Sequence, residues 1–171
     1  IYGNYNEIFR SDFVQMKFNK EVNMEIRTFC DEDIWGIWSL INSELGYNVS
    51  CEDLRVRILQ MQEDRNYIIF TAVDDEQVIG FIGLHIGLAF EITGKIMRII
   101  ALAVACHAQG NGIGRALIKE AEKCANENNV TAIIVNSGTK RTAAHRFYEK
   151  QSFYKKGYLS LIHISEPTRP E

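Results

Sequence analysis

The fold is indicated best by the stretch Ile100-Ala-Leu-Ala-Val-Ala-Cys-His-Ala-Gln-Gly-Asn-Gly-Ile-Gly-Arg-Ala-Leu-Ile118. Its apolar beginning predicts a buried strand, and its glycine-rich middle, Gln109–Gly114, predicts a tight turn. The part from Ile113 onward predicts a helix, because apolar residues recur at helical spacing as far as Cys124. A strand, a glycine turn and a helix in this order direct free backbone N–H groups and the positive end of the helix dipole at an anion, typically a phosphate. The stretch therefore predicts a phosphate-binding turn.

Two well-known phosphate-binding motifs do not fit this turn. A Walker A loop requires Gly-Lys-Ser/Thr, which is absent, and a dinucleotide-binding turn requires Gly-x-Gly-x-x-Gly. The glycines here, Gly110, Gly112 and Gly114, follow the pattern Gly-x-Gly-x-Gly instead. From the turn alone, a tight connection between strand and helix that binds no ligand stays open as the alternative.

Two motifs occur in the second half of the chain: Gln109-x-x-Gly112-x-Gly114, and then Ala143-Ala-His-Arg-Phe-Tyr-Glu-Lys-Gln-Ser-Phe153. Together they resemble the GCN5-related N-acetyltransferase (GNAT) superfamily, in its bacterial small-molecule type. The first is similar to the acetyl-CoA loop of that family, Arg/Gln-x-x-Gly-x-Gly/Ala, and the second is similar to its late helix, Ala-x-x-Phe-Tyr followed by Gly-Phe. Ser152 stands in place of the family's glycine. The order and separation of the two motifs match the family, and the resemblance covers residues 24–158.

Hydrophobic periodicity and turn signals predict the element order β-α-α-β-β-β-α-β-α-β. The predicted strands are 25–29, 67–73, 77–84, 96–105, 131–135 and 153–158. The predicted helices begin after Asp31 and Ser50 as N-caps, at Ile113, and near Thr142. This order predicts an α/β fold with a mixed central sheet flanked by helices, and the resemblance implies the acyl-CoA N-acyltransferase (GNAT) fold. The resemblance also implies that two parallel strands splay apart to admit acetyl-CoA.

We expect a single N-acetyltransferase domain over residues 24–158, with both ends of the chain outside it. Residues 1–23 show no clear period and no signal-peptide pattern. The codons for Lys20-Glu-Val-Asn23 can form a bacterial ribosome-binding site, so we favour Met24 as the initiator over a native N-terminal extension. Leu159–Arg169 resembles the translation of a transposon-type sequencing adapter, and we expect residues 159–171 to be an adapter-derived tail.

Charge is distributed unevenly along a chain whose formal net charge is only −3 at pH 7. Residues 24–94 carry 4 Lys and Arg against 13 Asp and Glu, whereas residues 95–158 carry 11 against 4. A basic half suits a phosphorylated cofactor and an acidic half suits a cationic amine. A solvated surface without either role is the alternative.

Amino-acid composition also indicates the cellular compartment and excludes some kinds of partner. The four cysteines show no spacing typical of a zinc site, so we predict no metal and a reducing, cytoplasmic environment. No apolar run reaches membrane-spanning length, and no basic and aromatic cluster is typical of nucleic-acid binding. We therefore expect no nucleic acid and no membrane as partner. The resemblance implies an amine acceptor, and a homodimer stays open.

The resemblance implies acetyl-CoA as the cosubstrate and assigns residues to it. The turn and the residue beside it would hold the pyrophosphate, namely Gln109, Gly110, Asn111, Gly112, Ile113, Gly114 and Arg115. Backbone groups of Leu102, Ala103 and Val104 would bond to the pantetheine arm as an added strand does, with ordinary buried strand as the alternative. Arg141 stands where many members carry Asn, and there it could meet a phosphate.

Acetyl transfer to an amine requires a held thioester, a neutral amine and a proton donor for the departing thiolate. Tyr148 corresponds to the family's proton donor, with packing against the sheet as the alternative. Glu91 is the candidate general base, although a water chain could equally deprotonate the amine. Glu44, Tyr47 and His85 are the candidate acceptor-binding residues.

The sequence therefore predicts an N-acetyltransferase that moves the acetyl group of acetyl-CoA to a primary amine. The acceptor is expected to be a small molecule, aminoglycoside-like or polyamine-like, or a peptide. The alternative is a catalytically idle CoA-binding or sensing module of the same fold, against which the retained Tyr148 argues.

Overall fold

A computed structural model describes residues 24–138, 140–155 and 160–164, the last range as backbone. Within these residues, seven strands form one sheet: β1 (Glu25–Thr28), β2 (Tyr67–Asp74), β3 (Gln77–Ala89), β4 (Ile92–Val104), β5 (Val130–Asn136), β6 (Tyr154–Lys155) and β7 (Ser160–Ile164). The α-helices that accompany it are α1 (Ile34–Ser43), α2 (Cys51–Gln62), α3 (Ile113–Glu127) and α4 (Thr142–Lys150). Short 3-10 helices, Asp31–Asp33 and Cys106–Ala108, precede α1 and follow β4. The predicted extension, residues 1–23, lies outside the described residues.

The strands lie in the order β1-β2-β3-β4-β5-β7-β6. The first four are antiparallel neighbours, whereas β4 and β5 run parallel because α3 carries the chain back along the sheet between them. The predicted mixed α/β sheet and its element order are therefore confirmed. The sheet has one strand more than predicted, since Ser160–Ile164 pairs with both β5 and β6.

The additional strand, β7, lies in the segment that we expected to be a tail outside the domain. Its backbone pairs antiparallel with β5 from Ala132↔Ile164 to Asn136↔Ser160. Such pairing uses backbone N–H and C=O groups that every non-proline residue carries, so it depends little on which residues occupy the strand. Of the predicted strand 153–158, the structure assigns Tyr154–Lys155 as β6, and residues 156–158 lie outside the described residues.

Helices cover both faces of the sheet. α3 presents a stripe of buried apolar side chains at helical spacing, and a Cβ placed on Gly80 of β3 would lie 3.2 Å from the Ile113 side chain in that stripe. The opposite face of the sheet carries Thr71, whose hydroxyl donates to the carboxylate of Asp33 just before α1. The apolar core therefore lies between the sheet and α3 on one side and between the sheet and α1 and α2 on the other.

The hairpin of β3 and β4 is longer than the sequence predicted. We expected a link at 91–95 and a strand from Ile96, but β4 begins at Ile92, and β3 continues to Ala89, its partner. Each strand extends the other, because a backbone group that finds a partner across the hairpin needs no apolar pattern of its own. Glu91 consequently lies at the exposed tip of the hairpin.

Of the two predicted N-caps before α1 and α2, one is confirmed and the other is wrong. Ser50 caps α2 as predicted, since its Oγ accepts a hydrogen bond from the Asp53 N–H at 3.1 Å. Asp31 is not the N-cap of α1, because Asp33 occupies that position and Cys30 is the N-cap of the preceding 3-10 helix. The capping carboxylate is that of buried Asp33, which accepts from the Cys30 N–H at 3.0 Å.

Candidate active site

A cavity of about 570 Å³ opens where β4 and β5 separate. The two strands pair only as far as Ile99↔Val135, although β4 continues to Val104 along its other neighbour, β3. The cavity is lined by the end of β4, the glycine turn, the start of α3, the end of β5 and one face of α4. Twelve of the predicted site residues lie in its wall: Tyr47, Leu102, Ala103, Val104, Gln109, Gly110, Gly112, Ile113, Gly114, Arg115, Arg141 and Tyr148.

The separation of β4 from β5 coincides with a β-bulge. Leu84 pairs with Ile99 and Gly83 with Ala101, so Ile100 is an extra residue on β4. A bulge bends its strand and interrupts the ladder, and beyond it the edge of β4 that faces the cavity has no pairing with β5. Backbone N–H and C=O groups on that edge are available to an extended ligand.

The glycine turn leaves room for an anion at the N-terminus of α3. The first hydrogen bond of this helix runs from the Ala116 N–H to the Gly112 C=O, so the preceding N–H groups have no acceptor within the helix. Gly112 has a φ of +82°, and a Cβ at that position would meet nothing within 4 Å. A left-handed residue beside open space is where glycine allows a bulky anion to approach the backbone.

Gly114 has a different role in the same motif. A Cβ at this position would lie 3.0 Å from the ring of Phe147, so the absence of a side chain lets α4 pack against the start of α3. That packing places the next residue, Tyr148, in the cavity wall. Ser152, where the resemblance has a glycine, adopts a φ of +65°, which explains why glycine suits that position.

Tyr148 is 6% exposed and is held between two aromatic rings. Its ring centroid lies 5.2 Å from that of Phe147 and 5.4 Å from that of Phe153, in edge-on arrangements. Burial raises the pKa of Tyr148 to about 12, and the positive charge of Arg141 only partly opposes this. The phenol is therefore protonated throughout the neutral range and is able to donate a proton.

Ser137 lines the cavity but was not among the residues that the sequence predicted for the site. Its side chain lies in the cavity wall just beyond β5 and is 6% exposed, yet its Oγ has no hydrogen-bond partner among the described residues. A buried hydroxyl without a partner costs free energy unless a ligand or water supplies one. The available signal was its position immediately after a buried parallel strand, where ligand sites of open sheets occur.

Glu44 contacts the loop before the glycine turn and does not line the cavity. Its carboxylate accepts from the Cys106 N–H at 3.2 Å and from Gln109 Nε2 at 3.4 Å. Gln109 Nε2 also donates to the Val104 carbonyl at 2.9 Å. These bonds connect the loop between α1 and α2, whose Tyr47 lines the cavity, to the end of β4, so Glu44 is positioned to hold two cavity walls together.

Three other predicted residues also lie outside the cavity wall. Asn111 belongs to the glycine turn, but its side chain donates to the Ala108 carbonyl at 3.2 Å. His85 lies on β3, with its ring 4.5 Å from that of Tyr67. Glu91 precedes β4 and is eight residues from Ile99, roughly 26 Å of strand, so the structure does not bring it together with Tyr148.

The described residues also bear on membrane and metal binding. None of their helices is both long and apolar enough to span a membrane. Within the same ranges, no group of three or more His, Cys, Asp and Glu side chains is placed to hold a metal ion.

Comparisons with known proteins relate this geometry to a family. Residues 32–153 match the family model described as acetyltransferase (GNAT) family. The chain is 27% identical over 133 residues to the aminoalkylphosphonate N-acetyltransferase of Salmonella typhimurium, covering 75% of this chain and 84% of that relative. A crystal structure of a GNAT family acetyltransferase from Staphylococcus aureus has a TM-score of 0.60 at 25% identity, covering 67% of this chain and 87% of that chain. The PaiA N-acetyltransferase of Thermoplasma acidophilum, solved in complex with coenzyme A, has a TM-score of 0.67 at 20% identity, covering 83% and 99%, and shows likeness of fold.

Proposed function

This chain belongs to the acetyltransferase (GNAT) family, and we propose that it transfers the acetyl group of acetyl-CoA to a primary amine of a small molecule or peptide. One observation carries the proposal: a single cavity wall joins the glycine turn, the unpaired edge of β4 and the buried phenol of Tyr148. An anion-binding turn, a free strand edge and a proton donor are what a thioester-dependent transfer needs.

The residues of the cavity fit the chemical parts of acetyl-CoA. The free N–H groups at the start of α3 would bind the pyrophosphate, with the exposed Arg115 and Arg141 beside them. The edge of β4 from Leu102 to Val104 would bond to the amide groups of the pantetheine arm. The orphaned hydroxyl of Ser137 gains a partner in the same ligand, which accounts for an otherwise unfavourable buried group.

When bound, acetyl-CoA supplies a thioester whose acetyl group an amine can accept. A carbon–nitrogen bond then forms, the carbon–sulfur bond breaks, and the sulfur leaves as a thiolate. Tyr148 holds a proton at Oη for that thiolate, because burial keeps the phenol protonated until it is needed. With Glu91 too distant, we assign removal of the amine proton to water rather than to a side chain.

Thiol release in the presence of acetyl-CoA and a panel of primary amines tests this function. We expect amine-dependent release of free CoA, and a product mass that is larger than the acceptor by one acetyl group. Tight binding of CoA without amine-dependent release for any small or peptide amine would instead support an idle CoA-binding module. No binding of CoA would remove the assignment of the glycine turn as well.

A further inference from the structure

A row of three side chains crosses the sheet beside the cavity. Tyr67 of β2 pairs with His85 of β3, which pairs with Arg98 of β4. Directly paired residues on neighbouring strands present their side chains on the same face of a sheet, so the three side chains are neighbours. The rings of Tyr67 and His85 are in contact, with centroids 4.5 Å apart, and all three residues are half-buried.

This row lies on the face where the bulge opens to solvent. A Cβ on Gly83 would lie 3.2 Å from the Ile100 side chain, so Ile100 covers Gly83 on that face. Gly83 precedes His85 by two residues and therefore shares its face. Ile100 is 41% exposed and also lines the cavity. The row is thus one step along the strands, roughly 7 Å, from the place where the cavity reaches this face.

Arg98 has no hydrogen-bond or ion-pair partner among the described residues, in contrast to Arg27. The guanidinium of Arg27 donates to both carboxylate oxygens of Asp33, at 2.7 and 2.8 Å. A half-buried guanidinium keeps five N–H donors that match a carboxylate, phosphonate or phosphate. Asp64, whose backbone carbonyl accepts from the Tyr67 N–H at 2.9 Å, uses its carboxylate to accept two bonds from Asn66.

We propose that the acceptor is an amine that also carries an anionic group, an inference that rests on the proposed function. Arg98 binds this anionic group, with His85 and Tyr67 beside it. The amine would lie near Ile100, where the cavity opens, and the anion one step further along the face. The Tyr67 hydroxyl and a His85 ring N–H supply further donors for that anion. Polyamine-like acceptors fit poorly, since none of the described residues that line the cavity is Asp or Glu, and their second charge would meet Arg98.

Matched acceptors test the proposal through kcat/KM, measured by thiol release with saturating acetyl-CoA. The series is 2-aminoethylphosphonate and 4-aminobutanoate as anionic amines, propylamine as the neutral control and 1,4-diaminobutane as the cationic one. We expect the better anionic amine to exceed propylamine by about 30-fold, as a charge-assisted pair does. Arg98→Gln should remove that preference through KM while changing the propylamine rate less than about threefold, and Arg98→Lys should restore part of it. Arg57→Gln, which removes an exposed arginine of α2, is the matched control and should keep the preference.

Direct binding separates this proposal from the proposed function. Calorimetry with 2-aminoethylphosphonate and CoA, without an acetyl donor, should show binding to the parent and at least about tenfold weaker binding to Arg98→Gln. Binding that depends on Arg98, with no turnover of any amine, would support the anion site and overturn the acetyltransferase. Turnover with equal kcat/KM for neutral and anionic amines, or an equal loss for all amines in Arg98→Gln, would overturn the anion site alone.

Discussion

Two polar clusters in this molecule differ in whether their polar groups have hydrogen-bond partners. Near β1, the buried carboxylate of Asp33 accepts from Arg27, from the Cys30 N–H at 3.0 Å and from Thr71 Oγ at 3.1 Å. At the far side of the sheet, the Ser137 hydroxyl and the first N–H groups of α3 face a cavity without partners in the described residues. Since buried polar groups are normally paired, the first cluster stabilises the fold, whereas the second lies where the proposed function places acetyl-CoA.

The two clusters also differ in what burial does to proton affinity. Burial alone would raise the pKa of Asp33, but the bonds from Arg27, Cys30 and Thr71 outweigh it and hold that pKa below its usual range. Burial raises the pKa of Tyr148 to about 12, and the positive charge of Arg141 opposes this only in part. Hydrogen bonds and neighbouring charges, rather than depth of burial alone, therefore decide whether a buried group in this protein is charged or neutral.

The largest expected effect is on catalysis, at Tyr148 in the cavity wall. Tyr148→Phe should lower kcat on a confirmed amine by on the order of a hundredfold or more, because the proton for the thiolate is lost. The dissociation constant for acetyl-CoA should stay within about threefold, since the ring packing is kept. Stopped-flow thiol release and equilibrium binding measure the two quantities. Tyr154→Phe, at a tyrosine that is 47% exposed, is the control, and equal kcat in parent and Tyr148→Phe would leave only a packing role for Tyr148.

The second prediction concerns removal of the ion pair between Arg27 and Asp33. Arg27→Met leaves the carboxylate of Asp33 buried without its ion-pair partner, so the free energy of unfolding should fall by about 3 kcal/mol. The melting temperature should fall by about 6–12 °C, while the folded fraction binds CoA as before. Urea unfolding of this variant and of Arg65→Met, at an exposed arginine, gives the comparison. A loss below about 1 kcal/mol would mean that the cluster contributes little to the fold.

The third prediction fills the open space at the glycine turn. Gly112→Asp places bulk and negative charge where a pyrophosphate would bind, so affinity for CoA should fall about a hundredfold. Gly46→Asp is the matched control, because Gly46 has a φ of +73° and nothing within 4 Å of its Cβ position. Isothermal calorimetry compares the two. If Gly112→Asp and Gly46→Asp bind CoA equally well, the anion site lies elsewhere.

A fourth prediction concerns alkaline pH. The unfolded chain ionises Tyr148 near pH 10, whereas the folded chain holds that proton until about pH 12. Between these values the unfolded state binds fewer protons, so the stability that Tyr148 contributes is full below pH 10 and falls as the pH rises to 12. At roughly 1.4 kcal/mol per pH unit, the loss should be about 1 kcal/mol at pH 11 and approach about 3 kcal/mol at higher pH. Urea unfolding of parent and Tyr148→Phe at pH 9, 10 and 11 checks it, and parallel curves for the two proteins would contradict it.

The smallest expected effect lies between the two clusters, at Glu44. Glu44→Ala frees the loop before the glycine turn from the α1–α2 loop, so KM for acetyl-CoA should rise about tenfold through two lost hydrogen bonds. Glu44→Gln keeps an acceptor oxygen and should recover part of the loss, whereas Glu52→Ala on α2 should change nothing. Steady-state kinetics with varied acetyl-CoA measures this, and an unchanged KM in Glu44→Ala would mean that Glu44 does not position the turn.

Short-range patterns in the sequence determined the order of elements and much of the candidate site. The strand, glycine turn and helix around Gly112, the Ser50 cap and the second motif around Tyr148 each depend on residues within one or two turns of each other. Local backbone preference and apolar periodicity are sufficient there, because the interactions that decide the conformation lie within the same stretch of chain.

The pairing of residues across the sheet, and the hydrogen-bond partners of buried side chains, became known from the tertiary structure alone. Glu91 is distant from the cavity because β3 and β4 extend each other, and Asp33 is structural because Arg27 and Thr71 reach it from two strands. Ser137, which has no side-chain partner in the described part of the chain, follows β5 beyond the point where β4 bulges at Ile100 and the two strands stop pairing. The amino-acid sequence by itself therefore determined local conformation, whereas cross-strand register and the satisfaction of buried polar groups depend on residues far apart in the chain.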